Sequence, residues 1–237
     1  PRTLLFSTGY MANLGLAQAL LEKGDAVFAD RLNHASLLDG ARLSGARLYR
    51  YLHNDLQSLH QKISTTEAYD RLIMTDAVFS MDGDLAPLAD LASTAKNNDA
   101  WLMADDAHGI GVLGPQGKGS LEHHGLTTAD VHVYMGTLGK ALGTAGAFIA
   151  GEEDLIEFLI QTARSYIFTT AMPSAIAAAT LTSLKLVQTE PERRQILAER
   201  IAQFREGTEQ LGLPALNSNT VIQGILIGDN ATTQEIS

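Results

Sequence analysis

Short apolar runs alternate with longer amphipathic segments as far as Ala150, and this rhythm constrains the fold more than any other feature of the sequence. Helices are predicted over residues 11–22, 35–44, 56–63 and 88–97. The apolar runs predict strands at residues 4–7, 26–30, 48–51, 72–75, 101–105, 131–135 and 145–150. Such alternation favours crossover connections and a mainly parallel sheet covered by helices on both faces. Ligands of such sheets bind at the carboxyl ends of the strands, so residues that follow strands are the candidates for chemistry.

The pattern changes after residue 150. Successive helices are predicted over residues 152–161, 171–187 and 191–210, the last with Pro191 in its first turn. Residues 221–227 then predict the opening strand of a second α/β domain. We therefore expect a large domain over residues 1–187 and the start of a small C-terminal domain over residues 188–237. The chain begins without Met directly before a strand and ends on a polar stretch, so we expect sequence missing at both ends.

Composition excludes several classes of partner. The 17 Lys and Arg residues face 27 Asp and Glu, a formal charge of −10, which disfavours binding to nucleic acid or to an anionic membrane. The absence of cysteine excludes disulfides and thiolate zinc sites, and it fits a cytoplasmic protein. Residues 3–21 and 165–184 carry no charge, but they are rich in small polar residues. We interpret both as buried elements of a soluble fold.

Two groups at successive strand ends give the sharpest indication of chemistry. Asp105 and His108 follow the strand at 101–105, and Lys140 lies in a glycine-flanked loop after the strand at 131–135. A lysine in a partly desolvated pocket can bind a carbonyl cofactor covalently, and an acid one strand away can keep a pyridine nitrogen protonated. Each residue alone is ordinary, as a surface lysine or a strand-end acid. Together they predict a pyridoxal 5'-phosphate site.

Further candidates lie at the same predicted edge. Gly9 and Tyr10 stand where the first strand gives way to a helix, and free amides there favour a phosphate, although a plain turn is the alternative. His34 follows the strand at 26–30. Ser80, in the tight turn 79–84, either donates a hydrogen bond to a ligand or caps the turn.

Two other site types have weaker support. Residues 109–114 match the glycine fingerprint of dinucleotide-binding folds, but Pro115 and two further glycines follow where a helix should begin, which disfavours a nicotinamide oxidoreductase. A metallohydrolase using Asp105 and His108 lacks an obvious further ligand, and we predict no metal. A non-catalytic relative of the same fold remains an alternative.

Six motifs in the same order resemble the α-oxoamine synthase family of pyridoxal-phosphate enzymes. They are the segments 8–10, 33–36, 53–55, 79–84, 105–109 and 137–143. The resemblance runs from residue 8 to about residue 173. It implies an α/β fold, the large domain of PLP-dependent transferases of the aspartate-aminotransferase-like type I, with a mainly parallel sheet and the start of a small C-terminal α/β domain.

The resemblance also implies roles for single residues. Lys140 would hold the cofactor covalently, and Asp105 would pair with its pyridine nitrogen. His108 would hydrogen-bond the phenolate oxygen of the ring, and His34 would stack on the ring and orient the substrate. Other cofactor contacts would come from Gly9, Tyr10, Ser80 and Thr137, and, across a homodimer interface, from Thr169 and Thr170. An arginine that binds the substrate carboxylate is expected beyond Ser237.

Within the family, the turn 79–84 and the residues after it are most similar to those of the enzymes that act in biotin biosynthesis. These condense L-alanine with pimeloyl-CoA or pimeloyl-acyl carrier protein and release carbon dioxide. Glycine C-acetyltransferase, which shares the lysine loop, or another α-oxoamine synthase is the alternative. The acyl donor is implied by the resemblance alone.

Overall fold

The computed structural model describes residues 1–236, which form seven strands and ten helices. The strands are β1 (Arg2–Phe6), β2 (Ala26–Asp30), β3 (Arg47–Tyr51), β4 (Arg71–Asp76), β5 (Trp101–Asp105), β6 (Val133–Thr137) and β7 (Ala147–Gly151). The helices are α1 (Gly9–Leu20), α2 (Ala35–Ser44), α3 (Leu56–Ile63), α4 (Leu88–Asn97), α5 (Ser120–His124), α6 (Glu153–Thr162), α7 (Arg164–Ile167), α8 (Ser174–Thr189), α9 (Glu192–Gln210) and α10 (Asn230–Ile236).

All seven strands form one sheet in the order β1-β7-β6-β5-β4-β2-β3. The pairs β3–β2, β2–β4, β4–β5 and β5–β6 are parallel, and only β7 runs antiparallel to its neighbours β1 and β6. The α/β class and the mainly parallel sheet are confirmed. Because β4, β5 and β6 are adjacent and parallel, their carboxyl ends come together at one edge of the sheet.

The sheet separates two apolar cores. Alternate residues of β2 point to opposite faces, so that Val27 and Ala29 join one core and Ala26 and Phe28 the other. Helices α1, α2 and α6 cover the first face, and α3 and α4 the second. All five residues of β2 are buried, as expected of a strand covered on both sides. Helices therefore cover both faces of the sheet, as the sequence predicts.

The structure corrects several predictions about individual elements. Residues 221–227 form no strand. Within residues 1–236 their only ladder contact is one bridge between Ile225 and Ala215, and a strand needs a longer partner to satisfy its backbone. Residues 165–184 are not a buried element, because Thr180 is the one residue of α8 that is buried. The predicted strand 131–135 forms two residues later, and Pro191 caps α9 from outside its first turn.

No helix within residues 1–236 is both long enough and apolar enough to cross a lipid bilayer.

Candidate active site

A small cavity of about 170 Å³ opens at the carboxyl ends of β4, β5 and β6. Eight of the predicted site residues line it together. These are Gly9, Tyr10, His34, Ser80, Asp105, His108, Thr137 and Lys140. The topology explains the convergence, because α1, α2 and the loops after β4, β5 and β6 all begin at this edge of the sheet. The edge predicted for ligand binding is therefore a concave site.

Lys140 lies in the loop between β6 and β7, and its Nζ is 3.0 Å from Nε2 of His108. The loop is braced by its own backbone, since Gly143 N donates to Lys140 O at 2.9 Å. Desolvation lowers the pKa of Lys140, although the carboxylates of Asp105 and Asp76 act in the opposite direction. A lowered pKa increases the share of neutral amine, which is the nucleophilic and proton-accepting form.

Two acids end adjacent strands and face the same cavity. Asp76 and Asp105 are partners in the β4–β5 register, and they are only 5% and 4% exposed. Burial raises the pKa of Asp105, while hydrogen bonds from Asn13 Nδ2 at 2.8 Å and Ala107 N at 3.0 Å favour its ionised form. Burial and the charge of Asp105 raise the pKa of Asp76 well above its usual range. Two buried carboxyl groups this close oppose each other's ionisation, and a nearby positive charge would favour their ionised forms.

Asp106, the neighbour of Asp105, serves a different purpose. It is fully buried and accepts hydrogen bonds from Ser120 N at 2.7 Å, from the Ser120 hydroxyl and from the Tyr134 hydroxyl. Burial raises its pKa to about 6. It is absent from the cavity lining, and it fastens the loop after β5 to the start of α5. Of the two adjacent acids, only Asp105 is placed to meet a ligand.

The two histidines of the site approach it from different elements. His108 follows β5, and burial, reinforced by the charges of Lys140 and His34, lowers its pKa to about 4. It is therefore neutral near neutral pH and able to exchange a hydrogen bond with a ligand oxygen. His34 stands at the N-cap of α2. Its backbone N donates to Asp76 Oδ2 at 2.6 Å, which ties the start of α2 to the end of β4.

The start of α1 supplies a phosphate-sized cradle. Thr8 caps the helix by accepting from Met11 N at 3.1 Å, whereas the N–H groups of Gly9 and Tyr10 have no acceptor within the helix. A Cβ on Gly9 would lie 2.9 Å from Cγ2 of Thr137, so the close approach of α1 to β6 requires glycine. The Tyr10 hydroxyl donates to Asp39 Oδ2 at 2.6 Å and fixes the ring.

The remaining predicted residues are Thr169 and Thr170. They lie between α7 and α8 and are not among the residues that line the cavity. The sequence did not identify three polar residues of the lining, Asn13, Ser36 and Asp76. Asp76 carries the same signal that identified Asp105, an acid at a strand end. Ser36 lies inside the motif at residues 33–36, and Asn13 is one helical turn after Gly9.

The competing site types find no support in the geometry. The glycine run at residues 109–114 continues as turns, and the next helix begins only at Ser120, so no helix N-terminus faces it. Among the described residues, no group of three or more His, Cys, Asp or Glu side chains is placed to hold a metal ion.

Known proteins match the whole chain. The family model of aminotransferase class I and II matches residues 1–237. The chain is 61% identical over 237 residues to the 8-amino-7-oxononanoate synthase of Nitrosococcus oceani, covering all of this chain and 63% of that protein. Measured against this and two further relatives of the same name, the chain spans 60–63% of their length.

Solved structures have the same fold. The 8-amino-7-oxononanoate synthase of Francisella tularensis is 35% identical with a TM-score of 0.86, over 100% of this chain and 69% of that one. A variant of serine palmitoyltransferase from S. paucimobilis with a bound PLP–myriocin aldimine is 31% identical with a TM-score of 0.93, over 97% of this chain and 60% of that one.

Proposed function

The chain belongs to the class I and II aminotransferase family and, within it, to the α-oxoamine synthases, and from that membership we propose that it forms the core of an 8-amino-7-oxononanoate synthase. The reaction would join L-alanine to a pimeloyl thioester, release carbon dioxide and the thiol carrier, and serve biotin biosynthesis. One observation carries the proposal that this chain is catalytic. Lys140 Nζ lies against His108 in a cavity whose floor holds Asp105.

The cavity fits pyridoxal 5'-phosphate in its chemistry. Lys140 offers the amine that would hold the cofactor covalently, and Asp105 offers a buried carboxylate for the pyridine nitrogen. The start of α1 offers backbone N–H groups for the phosphate, at the point where Gly9 leaves room beside Thr137. His108 is neutral and would hydrogen-bond the phenolate oxygen. Ser80 also lines the cavity and would contact the cofactor.

The cofactor, when bound, supplies an electron sink for the charge that develops on the α-carbon of the amino acid. The protein would supply the proton transfer and the positioning. With its amine free, Lys140 would take the α-proton at Nζ. Its lowered pKa favours the unprotonated amine that this step needs. An ionised Asp105 would hold the ring nitrogen in its protonated form. His34 would cover the ring face and orient the substrate.

The substrates are proposed from the relatives. The 61% identity to a protein named 8-amino-7-oxononanoate synthase supports L-alanine and a pimeloyl group carried by CoA or acyl carrier protein. Glycine C-acetyltransferase is the second candidate, because the amine, acid and histidine of the cavity serve every α-oxoamine synthase equally. Serine palmitoyltransferases share the fold at 31% identity and define a third acyl donor to test.

We further propose that the protein works as a homodimer in the cytoplasm. Thr169 and Thr170 lie outside the cavity of their own chain and would contact the phosphate in the partner's site. The apolar side chains on α8 support a covered surface there, since Leu181 is 70% exposed. We also propose that residues 1–187 form the cofactor-binding domain and that residues 188–237 begin the small domain.

Product analysis tests the proposed activity. The protein, with any flanking sequence that its gene encodes, is incubated with each pairing of L-alanine, glycine or L-serine with pimeloyl-CoA, acetyl-CoA or palmitoyl-CoA. We expect mass spectrometry to find 8-amino-7-oxononanoate from L-alanine and pimeloyl-CoA, and no product from the Lys140→Ala variant. Turnover of glycine with acetyl-CoA, without turnover of the pimeloyl pair, would replace the proposal with glycine C-acetyltransferase.

A further inference from the structure

A continuous chain of hydrogen bonds joins Asp105 to His34 beneath the cavity. Asn13 Nδ2 donates to Asp105 Oδ2 at 2.8 Å and to Ser36 Oγ at 2.9 Å. Ser36 Oγ in turn lies 2.7 Å from Nδ1 of His34. The two connecting residues are fully enclosed, with Asn13 at 0% and Ser36 at 1% exposure. Hydrogen bonds between enclosed side chains are strengthened by the low local dielectric, so the chain holds its members in place.

The donor and acceptor of each hydrogen bond in this chain can be assigned by starting from Asp105. The carboxylate of Asp105 accepts from Asn13 and from Ala107 N, so the nitrogen of the Asn13 amide must face it. With the amide turned the other way, its oxygen would lie against a carboxylate oxygen. The second N–H of that amide then donates to Ser36 Oγ. Asn13 Oδ1 is left buried without a partner among the described residues, which is the cost of this orientation.

The same reasoning fixes the histidine. Ser36 Oγ accepts from Asn13 and lies 2.7 Å from Nδ1 of His34, where its hydroxyl proton can be donated. The backbone N–H of Ser36 also donates to Nδ1, at 3.3 Å. Two donors on Nδ1 make it an acceptor, and the proton of a neutral imidazole must then lie on Nε2. No described residue takes a hydrogen bond from Nε2, and His34 lines the cavity.

We propose that Asn13 and Ser36 are positioning residues that hold His34 in its Nε2–H tautomer and couple it to Asp105. The consequence rests on the proposed function, because it gives a bound substrate a fixed hydrogen-bond donor above the cofactor ring. Asn13 thereby acts on both sides of the cofactor site. It orients Asp105, which would bind the ring nitrogen. Through Ser36 it also orients His34, which would lie on the ring face.

The charged surroundings of His34 are common to every variant used in the test. Its backbone N–H is bonded to Asp76, and Asp105, Lys140 and His108 line the same cavity. A change in tautomer caused by removing the Ser36 hydroxyl is therefore separable from a change in local charge, because Ser36→Ala alters no ionisable group. Ser36→Thr keeps the hydroxyl and serves as the conservative control.

Nitrogen-15 spectra of histidine-labelled, cofactor-free protein report the tautomer directly. The chain has 7 His residues, so the His34 signals are identified by their loss in a His34→Asn variant. At a pH where the ring is neutral, we expect wild-type His34 to show Nδ1 as the unprotonated and Nε2 as the protonated nitrogen. Ser36→Ala should give a mixture of tautomers, and Ser36→Thr should restore the single Nε2–H form.

Two outcomes would overturn the proposal. One is a wild-type His34 that carries its proton on Nδ1, and the other is a Ser36→Ala variant that keeps the pure Nε2–H form. The backbone amide spectrum of each variant checks that it is folded. Because the measurement needs neither cofactor nor turnover, its failure is distinct from a failure of the proposed synthase activity. In the loaded enzyme, Ser36→Ala should lower kcat/KM for the amino acid, and Ser36→Thr should recover it.

Discussion

His53 lies between two carboxylates, and its protonation should stabilise the fold in a way that pH reveals. Nδ1 is 3.1 Å from Asp30 Oδ1, and Nε2 is 2.8 Å from Asp84 Oδ2. Asp30 is a buried residue of β2, whereas Asp84 belongs to the turn that carries Ser80. Burial opposes a charge on the imidazole, but the hydrogen bonds to Asp30 and Asp84 outweigh it and raise the pKa of His53 above its ordinary value.

The raised pKa determines the sign of the effect. A histidine that binds its proton more tightly in the folded state stabilises the protein fully below its unfolded pKa of about 6.5 and loses that contribution as pH rises through the folded pKa. Hydrogen bonds to charged groups are worth about 1.5–3 kcal/mol each when buried. The side chain of His53 is 23% exposed. We therefore expect His53→Gln to cost about 1–2 kcal/mol near pH 5.5 and less than about 1 kcal/mol near pH 9, after discounting for solvent screening.

Urea unfolding of the wild type and of His53→Gln across this pH range measures the difference. His132→Gln is the matched control, because burial lowers the pKa of His132, whose Nδ1 accepts from Leu102 N at 3.1 Å. Its contribution is present above the unfolded pKa and is lost as pH falls, so the cost of His132→Gln should grow with pH. If the cost of His53→Gln stays constant or increases with pH, the doubly paired imidazolium does not exist.

Two further substitutions test the packing and the chemistry of the site. Gly40→Ala should destabilise the protein by about 1–3 kcal/mol in urea unfolding, since the new Cβ would lie 2.9 Å from the backbone oxygen of Asn13. The control is Gly207→Ala, in a helix with open space around it, which should stabilise the protein by up to about 1 kcal/mol. Asp105→Asn should lower kcat roughly 10²–10³-fold, the effect of removing one preorganised charged partner. Its free energy of unfolding should be unchanged or increased, because burial raises the pKa of this acid. A variant with wild-type kcat would exclude Asp105 from the proposed role.

Local patterns predicted most of the large domain. Helices α2, α3 and α4 and strands β2 and β5 have the predicted bounds. The convergence of the site was predictable for the same reason. Once parallel strands are established, acids and histidines that follow them must meet at one edge. That logic predicts that Asp105, His108 and Lys140 lie together.

What the sequence did not reveal depends on contacts between distant segments. Asn13 looks like an ordinary polar residue of α1, and only the approach of that helix to Asp105 makes it a buried donor. Residues 221–227 have a strand-like pattern, but pairing needs a partner, and Ala215 alone provides one among residues 1–236. The uncharged segment 165–184 suggested burial, yet α8 lies on the surface of the described chain. The absence of charge in a segment therefore does not show that its own chain buries it.

The most direct test of the central claim is to find the residue that holds the cofactor. The protein is loaded with pyridoxal 5'-phosphate, reduced with borohydride, digested and mapped by mass spectrometry, in parallel with Lys140→Ala and with Lys118→Ala as a control on the neighbouring loop. We predict that the reduced cofactor is attached to Lys140 in the wild type and in Lys118→Ala, and that Lys140→Ala carries none. Attachment to another lysine, or equal labelling of Lys140→Ala, would contradict the account.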